Sequence, residues 1–183
     1  IEAFGANRAV VLSSGTGPDS RIYRTTDGGA TWSLVFQNAE PNAFYDCMTF
    51  FNKKVGLAVS DPPDGLKFRV IKTTDGGQTW NVIDSAGMPD ALPGEAAFAA
   101  SGQCLTSNHG HTAWFGSGGS AQARVFTSRN RGRTWTVSAT PLAPSTSVSA
   151  SAPTSATDCP AGAGPASTSA TMAAPPASTA ISA

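Results

Sequence analysis

The side chains best suited to chemistry in this chain are carboxylates, and two of them stand in nearly identical surroundings. Asp27 lies within Thr25-Thr26-Asp27-Gly28-Gly29-Ala30-Thr31-Trp32, and Asp75 within Thr73-Thr74-Asp75-Gly76-Gly77-Gln78-Thr79-Trp80. An aspartate beside a hydroxyl could act as a general acid or base. The repetition argues for another role: a catalytic acid is needed once, a turn-former once per turn. A third copy, Ser128-Arg129-Asn130-Arg131-Gly132-Arg133-Thr134-Trp135, puts Asn130 where the acid stood, keeping an acceptor oxygen and losing the charge. In the turn reading the Asp or Asn oxygen accepts backbone N–H groups ahead of it. Thr31, Thr79 and Thr134 then add a side-chain hydrogen bond across the turn. Gly28 and Gly76 give way to Arg131, whereas Gly29, Gly77 and Gly132 agree. The second glycine is therefore expected to hold a left-handed conformation and the first is not. Trp32, Trp80 and Trp135 are each expected to be buried between strands, where truncation to Ala costs about 3–5 kcal/mol.

Other candidate groups are weaker. His109-Gly110-His111, with Cys104 upstream, has no convincing third and fourth ligand and reads as a loop, so no metal site is expected. Gly116-Ser117-Gly118-Gly119-Ser120 is glycine-rich, but no helix and no Lys-Ser/Thr pair follows. No cofactor is expected. Arg129, Arg131 and Arg133 put three positive charges on one hairpin, with Arg124 nearby. They read either as a docking patch for an acidic partner or as a solvated turn. The loops Gly15-Thr16-Gly17-Pro18-Asp19 and Asp61-Pro62-Pro63-Asp64-Gly65 match in position and are expected on one rim, where partners bind. Three cysteines are too few for a disulfide framework. Cys47 and Cys104 read most simply as buried thiols, with a bridge between them open in an oxidising compartment.

Strands must position these turns. The tryptophans are 48 and 55 residues apart, a period that points to stacked sheets of the propeller kind. Residues 21–25, 68–73 and 123–127 alternate polar and apolar ahead of each turn, and 32–36, 80–83 and 135–137 follow it. Residues 9–13, 56–60 and 112–116 are near-continuous apolar runs, as in strands buried on both faces. Residues 44–51 and 96–100 supply innermost strands for the second and third repeats, and 1–4 the remnant of one for the first. The expected fold is all-β: a partial β-propeller of about three four-stranded antiparallel blades, at about 1–38, 43–85 and 95–139.

Composition bounds the rest. The chain of 183 residues has 12 basic and 12 acidic side chains and only 13% charged residues, which argues against nucleic acid as a partner. No apolar run reaches the roughly 20 residues of a membrane span. Residues 140–183 form a tail; 34 of the last 41 residues are Ala, Ser, Thr or Pro, with no aromatic. Such a segment is expected to be disordered. It reads either as a flexible, glycosylated stalk or as out-of-frame sequence.

The three copies resemble the Asp-box, or BNR repeat, with pattern Ser/Thr-x-Asp-x-Gly-x-Thr-Trp. The first two match fully and the third has Asn130 for Asp. Spacing and flanking text, including Asn42-Ala43-Phe44-Tyr45-Asp46-Cys47-Met48 and Gly56-Leu57-Ala58-Val59-Ser60-Asp61-Pro62, most resemble the bacterial photosystem II stability/assembly factor-like proteins. The resemblance implies a closed propeller of about seven blades, an extracytoplasmic location, and a non-catalytic scaffold for a protein or glycan. A more distant resemblance to sialidases implies an arginine cluster, a Tyr nucleophile assisted by Glu, and an acid Asp. Here Tyr23 reads as packing, Tyr45 and Glu95 stand near inner ends of blades, and no arginine motif of the sialidase type is present. Open outer blades would bare apolar faces and strand edges, so the chain is expected to be poorly soluble.

Overall fold

The computed structural model describes residues 1–99, 103–108 and 110–143. The expected tail lies outside these residues from 144 onward, as does His109. The described chain forms three four-stranded antiparallel sheets in succession. Sheet 1 comprises β1 (Glu2–Ala3), β2 (Ala9–Ser13), β3 (Arg21–Thr25) and β4 (Ser33–Gln37). Sheet 2 comprises β5 (Tyr45–Phe50), β6 (Gly56–Ser60), β7 (Arg69–Thr73) and β8 (Asn81–Val82). Sheet 3 comprises β9 (Leu105–Ser107), β10 (Ala113–Ser117), β11 (Arg124–Ser128) and β12 (Thr136–Ala139). Strands pair in chain order within every sheet, the up-and-down connection of a propeller blade. Among the described residues there is no α-helix.

One strand differs from expectation. The innermost strand of sheet 3 is Leu105–Ser107, not 96–100. Ala96 makes a single bridge to Gly118. Past that bridge Phe98 has a φ of +60°, a left-handed conformation that does not continue a strand, and the innermost strand begins at Leu105.

Two apolar cores lie between successive sheets. Val10 and Ile22 of sheet 1 meet Tyr45, Met48, Phe50, Ala58, Ile71 and Trp80 from the second repeat. Leu57, Val59 and Val70 of sheet 2, with Phe68 just ahead of β7, meet Leu105, Ala113, Phe115, Phe126 and Trp135 from the third. Sheet 2 is thus covered on both faces, which explains why every residue of β5 and β6 is buried. Strands that alternate in the sequence feed one core with one set of side chains and the next core with the other.

Each core is therefore a seam closed by the tryptophan of the later sheet. Trp80 and Trp135 are each 7% exposed. Trp80 meets Phe50 edge-on at 5.8 Å and Trp135 meets Phe115 at 5.1 Å between ring centroids. Trp32 corrects the expectation of three buried indoles: it is 43% exposed. Its indole belongs to the face of sheet 1 against which no other described sheet packs.

Cys47, on β5, and Cys104, just ahead of β9, form a disulfide with Cα atoms 5.8 Å apart. The bridge fastens the innermost strands of sheets 2 and 3 and overturns the reading of two separate thiols. The sequence hid it because the partners are 57 residues apart; only stacking of the two repeats brings them together.

Candidate functional site

Each of the three turns spends its acid or amide internally. In the first, Asp27 Oδ1 accepts the Thr25 hydroxyl at 2.7 Å and the Thr31 N–H at 2.9 Å, and Oδ2 accepts the Thr31 hydroxyl at 2.6 Å. In the second, Asp75 Oδ1 accepts from Thr73 at 2.8 Å, the Gln78 N–H at 2.9 Å and the Thr79 N–H at 3.0 Å, while Oδ2 takes the Thr79 hydroxyl at 2.7 Å. Asn130 reproduces the set with one reversal: its Nδ2 donates to Thr134 Oγ1 at 2.8 Å. The threonine hydroxyl rotates from donor to acceptor, so the loss of the acid costs no hydrogen bond.

The electrostatics follow. Asp27 is lowered to about 2, chiefly by the Thr31 hydroxyl, then the Thr31 N–H and the Thr25 hydroxyl. For Asp75 partial burial pushes upward, but the bonds from Thr79 and Thr73 outweigh it and the group also falls to about 2. A carboxylate held in its charged form by several donors is a weak base. It suits a turn better than proton transfer at neutral pH.

Both glycines of the motif are left-handed, which corrects the inference about the first. Gly28, Gly76 and Arg131 have φ of +75°, +78° and +56°; Gly29, Gly77 and Gly132 have +94°, +83° and +83°. Arg131 tolerates the conformation because its N–H reaches the His111 carbonyl at 2.8 Å and its Nε the Gly110 carbonyl at 3.0 Å. The second glycine is fixed by a different cause. A Cβ on Gly77 would lie 2.8 Å from Val10 Cγ2, and one on Gly132 would lie 2.9 Å from Leu57 Cδ1. That position touches the preceding sheet, so a side chain there would wedge the seam open.

The turns also hold the seams by charge. Arg24 on β3 donates to the Gly76 carbonyl at 3.2 Å, and Lys72 on β7 donates to the Arg131 carbonyl at 3.0 Å. Both cations stand three residues before the Asp of their own motif and bond to the residue after the Asp or Asn of the next. Lys72 is shifted downward by burial and then by Arg133 and Arg131.

The arginine patch divides. Arg129 and Arg133 are exposed on the turn after β11. Arg131 is half-buried and engaged as above. Arg124 does not belong with them: it begins β11, at the far end of the strand, and is 9% exposed. It is bound to the buried Glu95 through both carboxylate oxygens, Nε donating at 2.8 Å. Ser117 Oγ donates to the same carboxylate at 2.5 Å. These bonds hold Glu95 below its ordinary value against the upward push of burial. The corresponding Arg69, at the start of β7, bonds Glu40 at 3.1 Å. Sequence reading missed this clasp, although its trace is visible: an arginine six residues before each motif's Asp or Asn, with a glutamate in the linker before sheets 2 and 3.

The same end carries the matched loops at residues 15–19 and 61–65, and a pair of acids the sequence did not single out. Asp46 sits at a bulge in β5, is 4% exposed, and has an Oδ2 without a hydrogen-bond partner. Burial first, then the neighbouring Asp61, raises its carboxyl far above the usual range. Asp61 accepts the Ala97 N–H at 2.7 Å, tying sheet 2 to the linker before sheet 3. Tyr45 is buried and, through burial and then the Glu40 charge, raised above the phenol range. Tyr23 is half-buried on sheet 1. Among the described residues no group of three or more His, Cys, Asp or Glu could hold a metal ion, and no helix is long and apolar enough to cross a membrane.

A sequence model of the BNR/Asp-box repeat matches residues 23–34, the first of the three turns. No curated protein matches the chain. Among solved structures the chain is similar to one described as YCF48 bound to D1 peptide, at 17% identity and a TM-score of 0.45. The similarity covers 73% of this chain and 43% of that one.

Proposed function

We propose that this Asp-box chain is a non-catalytic propeller scaffold that holds rim loops and charged turns rigid for capture of a protein or glycan partner. The resemblance to the photosystem II stability/assembly factor-like proteins supports an assembly role. The observation that carries the reading is the fate of the repeated acids. Asp27 and Asp75 are saturated by donors of their own turns, so the conspicuous carboxylates serve the frame. Exposed Arg129 and Arg133 are left as the charge offered to a partner. The partner surface in this reading is the turn after β11, and its ligand is an acidic peptide or an acidic glycan. The Cys47–Cys104 bridge supports an oxidising, extracytoplasmic compartment.

Fluorescence anisotropy with a labelled Asp/Glu-rich peptide and a labelled uronate oligosaccharide tests the reading. Binding should weaken with salt and fall at least tenfold in the doubly reversed Arg129→Glu, Arg133→Glu variant. Unchanged binding in that variant would refute the surface. Turnover of a fluorogenic sialoside by the chain would refute the non-catalytic role.

A further inference from the structure

At the loop end of sheet 2 the fold sets two acids side by side. β5 pairs with β6 from Phe50 opposite Gly56 to Cys47 opposite Val59, and then slips so that Tyr45 faces Ser60. Asp46 is the extra residue of that bulge, and a bulge re-aims the side chain it inserts. Asp61 follows Ser60, and its N–H bonds the Phe44 carbonyl at 3.0 Å. The two carboxyls lie within hydrogen-bonding reach of each other. Asp46 is 4% exposed, and its Oδ2 has no donor among the described residues. Two ionised carboxylates offer only acceptors, so their contact is a hydrogen bond only when one proton lies between them.

The pair grips the chain that enters sheet 3. Asp61 Oδ1 accepts the Ala97 N–H at 2.7 Å, and Asp46 accepts the Ala99 N–H. Between these two amides stands Phe98, with a φ of +60° and 37% exposed. Its ring lies against Gly119, where a Cβ would meet Phe98 Cζ at 3.1 Å. A left-handed phenylalanine is strained and persists where its surroundings over-determine it. An amide bond on either side of Phe98 does so, and both bonds end on the acid pair. Among the described residues Asp61 is the only charge acting on Asp46. Sheet 1 meets the bulge through Ser14, whose hydroxyl donates to the Asp46 carbonyl at 3.4 Å. Glu95 in the linker is bound to Arg124 and Ser117. Cys104 is joined to Cys47 and does not titrate, and the neighbouring Tyr45 feels Glu40 and Arg69 instead.

We propose that Asp46 and Asp61 share one proton and form a latch, which holds residues 97–99 on sheet 2 while the proton is present and releases them when it leaves. With the proton in place, one acid donates to the other and both still accept their amides. Without it, two like charges face each other in a buried place. They separate, the amide bonds break, and Phe98 relaxes from its strained conformation. The sign follows from the causes. Burial, then Asp61, raises Asp46, so the latch is closed below that raised value and opens as pH climbs through it. The turn that carries Arg129 and Arg133 lies at the other end of the strands, so the latch does not depend on that surface.

The test uses the full chain with isotope-labelled aspartate carboxyls in NMR, and pulsed hydrogen exchange at Ala97 and Ala99 between about pH 6 and 10, corrected for the intrinsic rate. The pair should lose one proton far above the ordinary carboxyl value of about 4. Protection of both amides should then fall by about tenfold per pH unit beyond that point, as release of one proton requires. The Gly77 amide, bonded to Thr73 in the second turn, should keep its protection. Asp46→Asn, whose amide donates to Asp61 without titrating, should hold Ala97 protected at every pH. Asp61→Asn, which still offers Ala97 an acceptor, is the second variant should the first misfold. Two ordinary carboxyl titrations would overturn the proposal, as would equal loss of protection in the wild type and the variants. Protection restored at high pH by added calcium would make the pair a cation site and would overturn it as well.

Discussion

Adding one methyl group at each second glycine of the three turns separates backbone strain from seam packing. Gly29, Gly77 and Gly132 share φ values of +94°, +83° and +83°, so alanine meets a left-handed cost of about 1–2 kcal/mol at all three. The surroundings differ. The new Cβ would lie 2.8 Å from Val10 Cγ2 at Gly77 and 2.9 Å from Leu57 Cδ1 at Gly132, but no closer than 3.7 Å to any atom at Gly29. Overpacking of this kind costs about 1–3 kcal/mol more. Gly29→Ala should therefore lose about 1–2 kcal/mol, and Gly77→Ala and Gly132→Ala about 2–5 kcal/mol. Gly77→Ala should be the worst, because Val10 is β-branched and stiff at χ1 whereas a leucine methyl can swing aside. Urea unfolding followed by far-UV circular dichroism reads these as shifts in midpoint at constant slope. Equal losses at all three positions would refute the argument that the preceding sheet, and not the turn, dictates this glycine.

The tryptophans should divide in the same way: Trp80→Ala and Trp135→Ala should each lose about 3–5 kcal/mol, and Trp32→Ala, with an indole 43% exposed, about 1–2 kcal/mol in the same urea assay. Reduction of Cys47–Cys104, which are 57 residues apart, should cost about 4 kcal/mol by loop entropy, seen as a lower melting temperature with reductant that Cys47→Ser reproduces without it. The carboxyls give pH effects of opposite sign, measurable as melting temperature against pH. Asp27 and Asp75 are lowered to about 2, so the stability they add is complete above their unfolded value of about 4 and fades as pH falls toward 2. Asp46 is raised, so its contribution is complete below about pH 4 and is lost as pH climbs through its elevated value; Asp46→Asn should flatten that decline.

The turns were legible in the sequence because they are local. Thr25, Asp27, Gly29 and Thr31 contact one another within seven residues, and the pattern of hydroxyl, acid and glycine states its own hydrogen bonds. The strand order was legible for the same reason, each strand pairing with its neighbour in the chain. What depends on segments distant in the chain meeting one another was not. Arg124 looked like part of an arginine patch until the linker brought Glu95 against it. Trp32 is identical in motif to Trp80, yet its burial depends on which sheet lies opposite. Arg131 in place of a glycine suggested a relaxed φ, whereas loop bonds to Gly110 and His111 hold it in a costly one. Asp46 looked like one polar residue in a strand, and only the bulged pairing of β5 with β6 sets it, buried, beside Asp61.

The disulfide makes the two boundaries between sheets mechanically unequal. Sheets 2 and 3 are stapled covalently at their innermost strands, whereas sheets 1 and 2 adhere through contacts that can be broken one at a time. Under stress the assembly should peel from its first leaf, which separates and swaps water for protein contacts while the stapled remainder still holds its shape. In hydrogen exchange the amides of β2 and β3 would then trade deuterium before those of β6 and β10. The order of failure would run from the amino-terminal leaf inward.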